Sequence, residues 1–307
     1  MAEITAALVK ELREKSGAGM MDCKKALVEN DGDMEAAIDW LRMKGLAAAA
    51  KKSGRVAAEG LIAVATSSGS GAVIELNSET DFVARNPDFQ RFAAGIAAVA
   101  IEKGGNFDAT AATELDGGKT VQETVTEMIG MIGENLTFRR SAGITVKSGV
   151  VSSYVHSAVA PDMGKIGVIV GLESNGDKTK LAAFGKQLAM HIAATSPQWV
   201  SREDIEQATS DRERDILVEQ AREEGKSEDI IQKMVDGRMR KYFEEVCLLE
   251  QTYVIDGETK VVSAVDAAGE DVGGNIKVAG FVRFQIGDGI EKEESDFAAE
   301  VAATAGG

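Results

Sequence analysis

The sequence predicts an α+β protein, and three observations carry that prediction. Short amphipathic helices open the chain, a hairpin followed by a helix occurs twice, and one highly charged segment has helical spacing throughout. With 307 residues, 44% hydrophobic content and three prolines, the chain is long and apolar enough for two or three packed domains.

Ile4, Leu8, Val9 and Leu12 place one apolar stripe on a first helix, which Gly17-Ala18-Gly19 breaks. Met20, Cys23 and Leu27 stripe a second helix. Asn30-Asp31-Gly32 is a turn, and Asp33 caps a third helix with Met34, Ala37, Ile38 and Leu41 inward. Three helices in so short a span make a small bundle, and the glycine-then-methionine turn resembles a UBA-like domain. Met20 and Met21 read either as core filling or as adaptable contact residues. Neighbouring helix positions cannot both face one core, so at least one of the pair looks outward. Residues 45–54, rich in alanine and lysine, read as a linker.

Leu61-Ile62-Ala63-Val64-Ala65, the Ser67-Ser68-Gly69-Ser70-Gly71 turn, and Ala72, Ile74 and Leu76 at alternate positions form a hairpin. Asn86-Pro87 then matches an N-cap followed by proline at the first helical position. Phe89, Phe92, Ala93 and Ile96 repeat at helical spacing until Gly104-Gly105. Thr80-Asp81-Phe82-Val83 therefore falls on a strand-to-helix connection. Phe82 has two readings there: turned inward to cap the core, or offered with Asp81 as a wedge to a partner.

Thr120-Val121-Gln122-Glu123 is a capping box ahead of Val125, Met128, Ile129 and Ile132, with Gly133 placed to end the helix. Extended segments surround Phe138, Ile144-Thr145-Val146, residues 150–159 and 166–172, before a helix bearing Leu181, Phe184, Leu188 and Ile192. Hairpin-then-helix near 60–103 and 150–194 reads as a weak internal duplication. Residues 201–245 hold fourteen acids and nine bases around narrow stripes such as Ile231, Val235, Met239 and Phe243, which suits a projecting helical hairpin capped at Ser201. Strand-like Tyr253-Val254-Ile255 and residues 276–286 follow. The acidic tail places Phe297, Ala298 and Val301 on one helical face.

Charge and composition exclude several classes. Net charge is −16, yet residues 1–56 are near neutral, with ten bases and nine acids. The acidity of the remainder repels a phosphate backbone, so no direct nucleic-acid contact is expected and a protein or small-molecule partner is favoured. No apolar run approaches the ~18 residues of a membrane span, so no membrane partner is expected. Met1-Ala2-Glu3-Ile4 leads straight into an amphipathic pattern, which predicts no signal or transit peptide and a cytoplasmic protein. Isolated Cys23 and Cys247 fit a reducing compartment.

Enzyme motifs fail on their own mechanics. Gly118-Lys119-Thr120 imitates the end of a phosphate loop, but Thr113 stands where its first glycine is required. Gly17-Ala18-Gly19 lacks a preceding strand and a later glycine. His156 and His191 are the only histidines and have no clustered cysteines, so no metal site is expected. Neither a catalytic residue nor a cofactor is expected.

Five motifs in order give the chain a resemblance to a family. They are Lys10-Glu11-Leu12-Arg13 through Gly17-Ala18-Gly19-Met20-Met21-Asp22-Cys23-Lys24-Lys25-Ala26-Leu27; Thr80-Asp81-Phe82-Val83; Ile132-Gly133-Glu134-Asn135; Glu244-Glu245-Val246-Cys247-Leu248-Leu249-Glu250-Gln251; and Gly289-Ile290-Glu291-Lys292 with Asp296-Phe297-Ala298-Ala299-Glu300-Val301. Together they resemble bacterial translation elongation factor Ts, the nucleotide exchange factor for elongation factor Tu. Thr252 stands where that family commonly has proline, and Gly287-Asp288-Gly289 replaces its usual Gly-Glu-Gly.

The resemblance implies a UBA-like domain over 1–54, related α+β core subdomains over 55–145 and 146–286, a helical protrusion at about 200–245, and a C-terminal module over 287–307. It implies that Thr80, Asp81, Phe82 and Val83 enter the nucleotide domain of elongation factor Tu near its magnesium site. Arg13, Met20, Met21 and Lys24 would grip that domain, Ile132, Gly133 and His156 would add core contacts, and Phe297 would add one from the C-terminal module. The implied partner is elongation factor Tu, GDP-bound and nucleotide-free, and a homodimer within a heterotetramer is left open. The competing reading is a UBA-type adaptor that binds a peptide or ubiquitin-like partner through residues 13–27.

Overall fold

The computed structural model describes residues 4–16, 18–115, 117–225 and 227–291. Helices α1 (Ala6–Ser16), α2 (Met20–Glu29) and α3 (Met34–Lys52) enclose Leu12, Cys23, Ala26, Leu27 and Ala37. The Asp33 carboxylate accepts the Ala36 N–H at the start of α3, as its cap position requires. Residues 45–54 are not a linker. Helix α3 runs unbroken to Lys52, because alanine and lysine are good helix formers and tertiary packing tolerates Gly45.

That packing is against α6 (Val121–Ile132), where a Cβ on Gly130 would lie 3.0 Å from the Gly45 Cα. Ala49 reaches the core cluster beneath. The bundle is thus joined to the rest of the chain through one continuous helix.

Strands β1 (Glu59–Thr66) and β2 (Ser70–Ser78) pair antiparallel, followed by α4 (Pro87–Glu102) and the short α5 (Phe107–Ala111). A two-residue ladder, β3 (Glu114–Leu115) with β4 (Lys119–Thr120), leads into α6. The Thr120–Glu123 capping box and the left-handed Gly133 cap (φ 86°) bound α6 as its sequence predicts. Then come β5 (Leu136–Thr145), β6 (Gly149–Ala160), β7 (Met163–Glu173) and α7 (Lys178–Thr195). Hairpin-then-helix does occur twice, as β1-β2-α4 and β6-β7-α7.

The sheet order is β5-β2-β1-β7-β6, and a last strand, β8 (Lys277–Gln285), also pairs with β7. Two ladder pairs, Ile62–Gly164 and Ala63–Met163, join β1 to β7, and the Val64 N–H donates to the Asp162 carbonyl just before β7. Alternate residues of each half serve different cores. Leu61, Ala63, Ile74 and Leu76 pack with Phe89 and Ile96 of α4 and Val125 of α6. Val168, Val170 and Leu172 pack with Leu181, Leu188 and Ile192 of α7. Ile62, Val64, Val73, Val151 and Ile169 form a third cluster between the two halves. The central strands are therefore buried on both faces and read as near-continuous apolar runs. Gly167 permits the close approach, since a Cβ there would lie 2.5 Å from Ile62 Cγ2.

Helices α8 (Gln207–Glu223) and α9 (Glu228–Val246) form the hairpin, with Ala221, Ile231, Val235 and Met239 as a separate small core. The Ser201–Asp204 capping box is present, but it opens only a 3-10 turn, Arg202–Asp204, and α8 starts after it. Residues 253–255 are not a strand, and 254–256 form a turn. The Asp256 carboxylate accepts the N–H groups of Glu258 and Thr259, and Tyr253 N–H donates to the Thr259 carbonyl. Asp-Gly turn chemistry overrides the strand preference of Tyr-Val-Ile. Helix α10 (Val261–Val272) then packs on α7 ahead of β8. Among the described residues, no helix is long and apolar enough to cross a membrane.

Candidate functional site

The connection between β2 and α4 is fixed at both ends. At its far end the Asn86 side chain accepts the N–H groups of Asp88 (2.8 Å) and Phe89 (3.3 Å), with Pro87 in the first turn of α4. Before it, a 3-10 turn, Val83–Arg85, buries Val83 and Ala84 in the cluster beneath β1, β2, α4 and α6. Gln90 Nε2 donates to the Ala84 carbonyl at 2.9 Å.

At the near end, Thr80 donates its backbone N–H (2.8 Å) and its hydroxyl (2.6 Å) to the two oxygens of Glu134. Ser78 Oγ donates to the Thr80 carbonyl at 2.8 Å. Glu79 accepts the Asn135 N–H at 2.6 Å.

Phe82 stands between these anchors and is 79% exposed. The inward reading of this ring therefore fails. Its backbone is ordinary right-handed helical (φ −63°, ψ −37°), so outward display involves no strained torsion. Asp81 and Arg85 are exposed on either side, and neither side chain has a hydrogen-bond or ion-pair partner among the described residues.

Ile132 packs partly buried at the end of α6, and the Gly133 carbonyl accepts Lys52 Nζ at 2.6 Å. Residues 132–133 thus lie next to the loop, linked to it through Glu134. Met20 (59% exposed) and Met21 (75% exposed) both look outward from the first turn of α2. Met20 is not on the buried stripe, which is carried by Cys23, Ala26 and Leu27. Ser16 and Ala18 close over Cys23 instead, with Cys23 Sγ 3.7 Å from Ser16 Oγ and 3.6 Å from the Ala18 carbonyl. Arg13 and Lys24 are exposed on α1 and α2.

His156 is exposed on β6 opposite Ile166, with the Tyr154 hydroxyl 3.2 Å from its Nδ1. Among the described residues, no hydrogen bond joins the bundle residues or His156 to residues 80–83. Phe297 and most of the 287–307 module lie outside the described residues. Among the described residues, no three His, Cys, Asp or Glu side chains come together as a metal site.

Two polar links escape sequence reading. One is the pairing of Glu134 with Thr80. The other is fully buried Glu75, whose carboxylate receives Arg139 (3.0 Å), Arg140, Asn77 Nδ2 (3.0 Å) and the Gly287 N–H (2.9 Å). The available signal was a glutamate inside the apolar run Val73-Ile74-Glu75-Leu76 and two consecutive arginines on a strand. A charge at such a position needs paired partners.

Residues 79–288 match the family described as Elongation factor TS. The chain belongs to the elongation factor Ts family. Elongation factor Ts of Rhodospirillum centenum is 58% identical over 307 residues, covering all of both chains. Those of Parvibaculum lavamentivorans and Agrobacterium fabrum are each 59% identical over 308 residues, again covering both chains in full. The family match begins at Glu79, immediately before the Phe82 loop. The similarity to these elongation factor Ts chains also takes in α1–α3.

Proposed function

We propose that this protein is a guanine nucleotide exchange factor for elongation factor Tu, acting in the cytoplasm during translation elongation. The observation that carries the reading is Phe82, an aromatic ring displayed on a loop whose two ends are fixed. In this reading the ring serves as a preorganised wedge. It enters the partner's nucleotide domain and separates elements near the magnesium site, while Asp81 competes for the polar contacts there. Mg²⁺ demands near-ideal octahedral geometry, so small ligand displacements weaken GDP retention. Met20, Met21, Arg13 and Lys24 hold the same domain from the bundle, and Ile132, Gly133 and His156 add contacts from the core.

The thermodynamics is negative linkage. A factor that lowers GDP affinity by some ratio has its own affinity lowered by GDP in the same ratio. Exchange then needs no cofactor and no bond chemistry, and it leaves the nucleotide equilibrium unchanged. Helix α3, running from the bundle onto α6, favours a joined unit over a free-standing peptide adaptor.

The test is stopped-flow release of fluorescent GDP from elongation factor Tu across free Mg²⁺ concentrations. Acceleration by orders of magnitude, reduced in Asp81→Ala and Phe82→Ala, is expected. A folded wild-type sample that leaves the release rate unchanged would overturn the assignment.

A further inference from the structure

We infer that Glu134 is the positioning residue of the exchange loop: it holds Thr80 so that Phe82 is presented before the partner arrives. This inference rests on the reading of Phe82 as the wedge.

The geometry begins with strand register. Ser78 at the end of β2 pairs with Leu136 at the start of β5. Continuing that antiparallel register beyond the strands brings residues 79 and 80 beside 135 and 134. The side chains there exchange hydrogen bonds with the opposite backbone. Glu79 accepts the Asn135 N–H (2.6 Å), and Glu134 accepts the Thr80 N–H (2.8 Å) and hydroxyl (2.6 Å).

The Glu134 side of this lock is itself held. Gly133 takes the left-handed conformation that ends α6, its carbonyl accepts Lys52 Nζ (2.6 Å), and Asn135 Nδ2 donates to the Arg55 carbonyl (2.7 Å). Glu134 therefore projects from a fixed turn. Its two oxygens take both polar hydrogens of the residue two places before Phe82. With Val83 and Ala84 buried on the other side, only Asp81 and Phe82 are left between anchors.

Without the Glu134 lock, Thr80 is released and the near end of the loop samples other arrangements. Only the fraction with Phe82 presented binds productively, and apparent affinity falls by that fraction. Once seated, the wedge acts as before. Loss of positioning therefore raises the concentration of factor needed for half-maximal exchange and spares the saturated release rate. Removing the ring does the reverse.

The experiment titrates the full-length protein into elongation factor Tu bound to fluorescent GDP and reads half-saturation and saturated rate separately. Glu134→Ala is expected to raise the half-saturating concentration about tenfold, with the saturated rate kept within about twofold. Glu134→Gln is expected to recover most of the loss, because its carbonyl accepts the Thr80 N–H and its amide donates to the Thr80 hydroxyl. Thr80→Ala, which loses only the hydroxyl bond, gives a smaller rise of about threefold and serves if Glu134→Ala does not fold. Wild-type half-saturation in the alanine variants, or a Glu134→Gln protein as impaired as Glu134→Ala, overturns the positioning role. Phe82→Ala in the same series separates the two claims. If it exchanges like wild type, the wedge itself fails; if it loses the saturated rate while Glu134→Ala does not change half-saturation, only the positioning role fails.

Discussion

Phe82 and Val83 are consecutive residues with opposite environments: the first is 79% exposed and the second is 6% exposed within the core cluster. The ring sits at the N-cap of the 3-10 turn Val83–Arg85, whose first residue is its anchor. The pair therefore divides function from stability by a single step along the chain. Phe82→Ala is expected to leave unfolding free energy within about 0.5 kcal/mol of wild type, as surface substitutions do. Its saturated GDP-release rate is expected to fall about 30-fold, roughly 2 kcal/mol of barrier. Val83→Ala is expected to cost about 1 to 3 kcal/mol in urea unfolding. A large stability loss in Phe82→Ala would place the ring in the core after all.

The meeting of Gly45 with Gly130 gives a second prediction. A Cβ on Gly130 would lie 3.0 Å from the Gly45 backbone, so a bulky side chain there forces α3 away from α6. Gly130→Leu is expected to cost about 1 to 3 kcal/mol. Hydrogen exchange is the direct readout: residues 45–52 should exchange faster while β1, β2 and β7 keep their protection. Uniform loss across the sheet would show that the contact supports more than bundle docking.

Glu75 ties the end of β8 to the middle of β2. Removing its carboxylate takes an acceptor from Arg139, Arg140 and the Gly287 N–H together, leaving Arg139 the Asp288 carbonyl and Arg140 the Gln285 carbonyl. Glu75→Ala is expected to cost about 3 kcal/mol, the lower end for a broken buried pair, because both arginines keep some water contact. A melting temperature equal to wild type would show that water replaces the carboxylate without loss.

His191 supplies a pH dependence. Its ring is buried on α7, with Nδ1 accepting the Val254 N–H (3.2 Å) and Nε2 facing Gln251 Oε1 (2.9 Å). Burial pushes its pKa below the ordinary 6.5, partly opposed by the Gln251 hydrogen bond. Above 6.5 both folded and unfolded chains hold the ring neutral. As pH falls through that value the unfolded chain gains a proton first, so stability declines toward the depressed folded pKa. Urea midpoints measured between pH 7 and about 5, above the main carboxylate range, should show this decline. His191→Asn, which keeps an acceptor for Val254 and does not titrate, should flatten it.

The bounds of α6 were legible because a capping box and a left-handed glycine are local signals. So was the start of α4, where Asn86 and Pro87 act within one turn. Single residues misled where their neighbours decided the outcome. Gly45 does not stop α3, because the alanines and lysines after it are good helix formers and α6 lies alongside, and Met20 faces outward while Cys23, Ala26 and Leu27 carry the buried stripe. Of the candidate site, residues 80–83 and 132–133 could be named from the sequence, but their adjacency could not.

By itself the sequence determined the succession of helices and strands, the repeated hairpin-then-helix unit and the family motifs. Each of these depends on residues a few positions apart, within reach of propensity, capping and periodicity. The tertiary structure alone decided that Phe82 faces outward, that Glu134 holds Thr80, and that Glu75 gathers two arginines and Gly287. Those contacts span 54, 64 and 65, and 212 residues, respectively. They exist only after β2 has found its register with β5 and β8 has closed against β7, and strand register is a property of the assembled sheet.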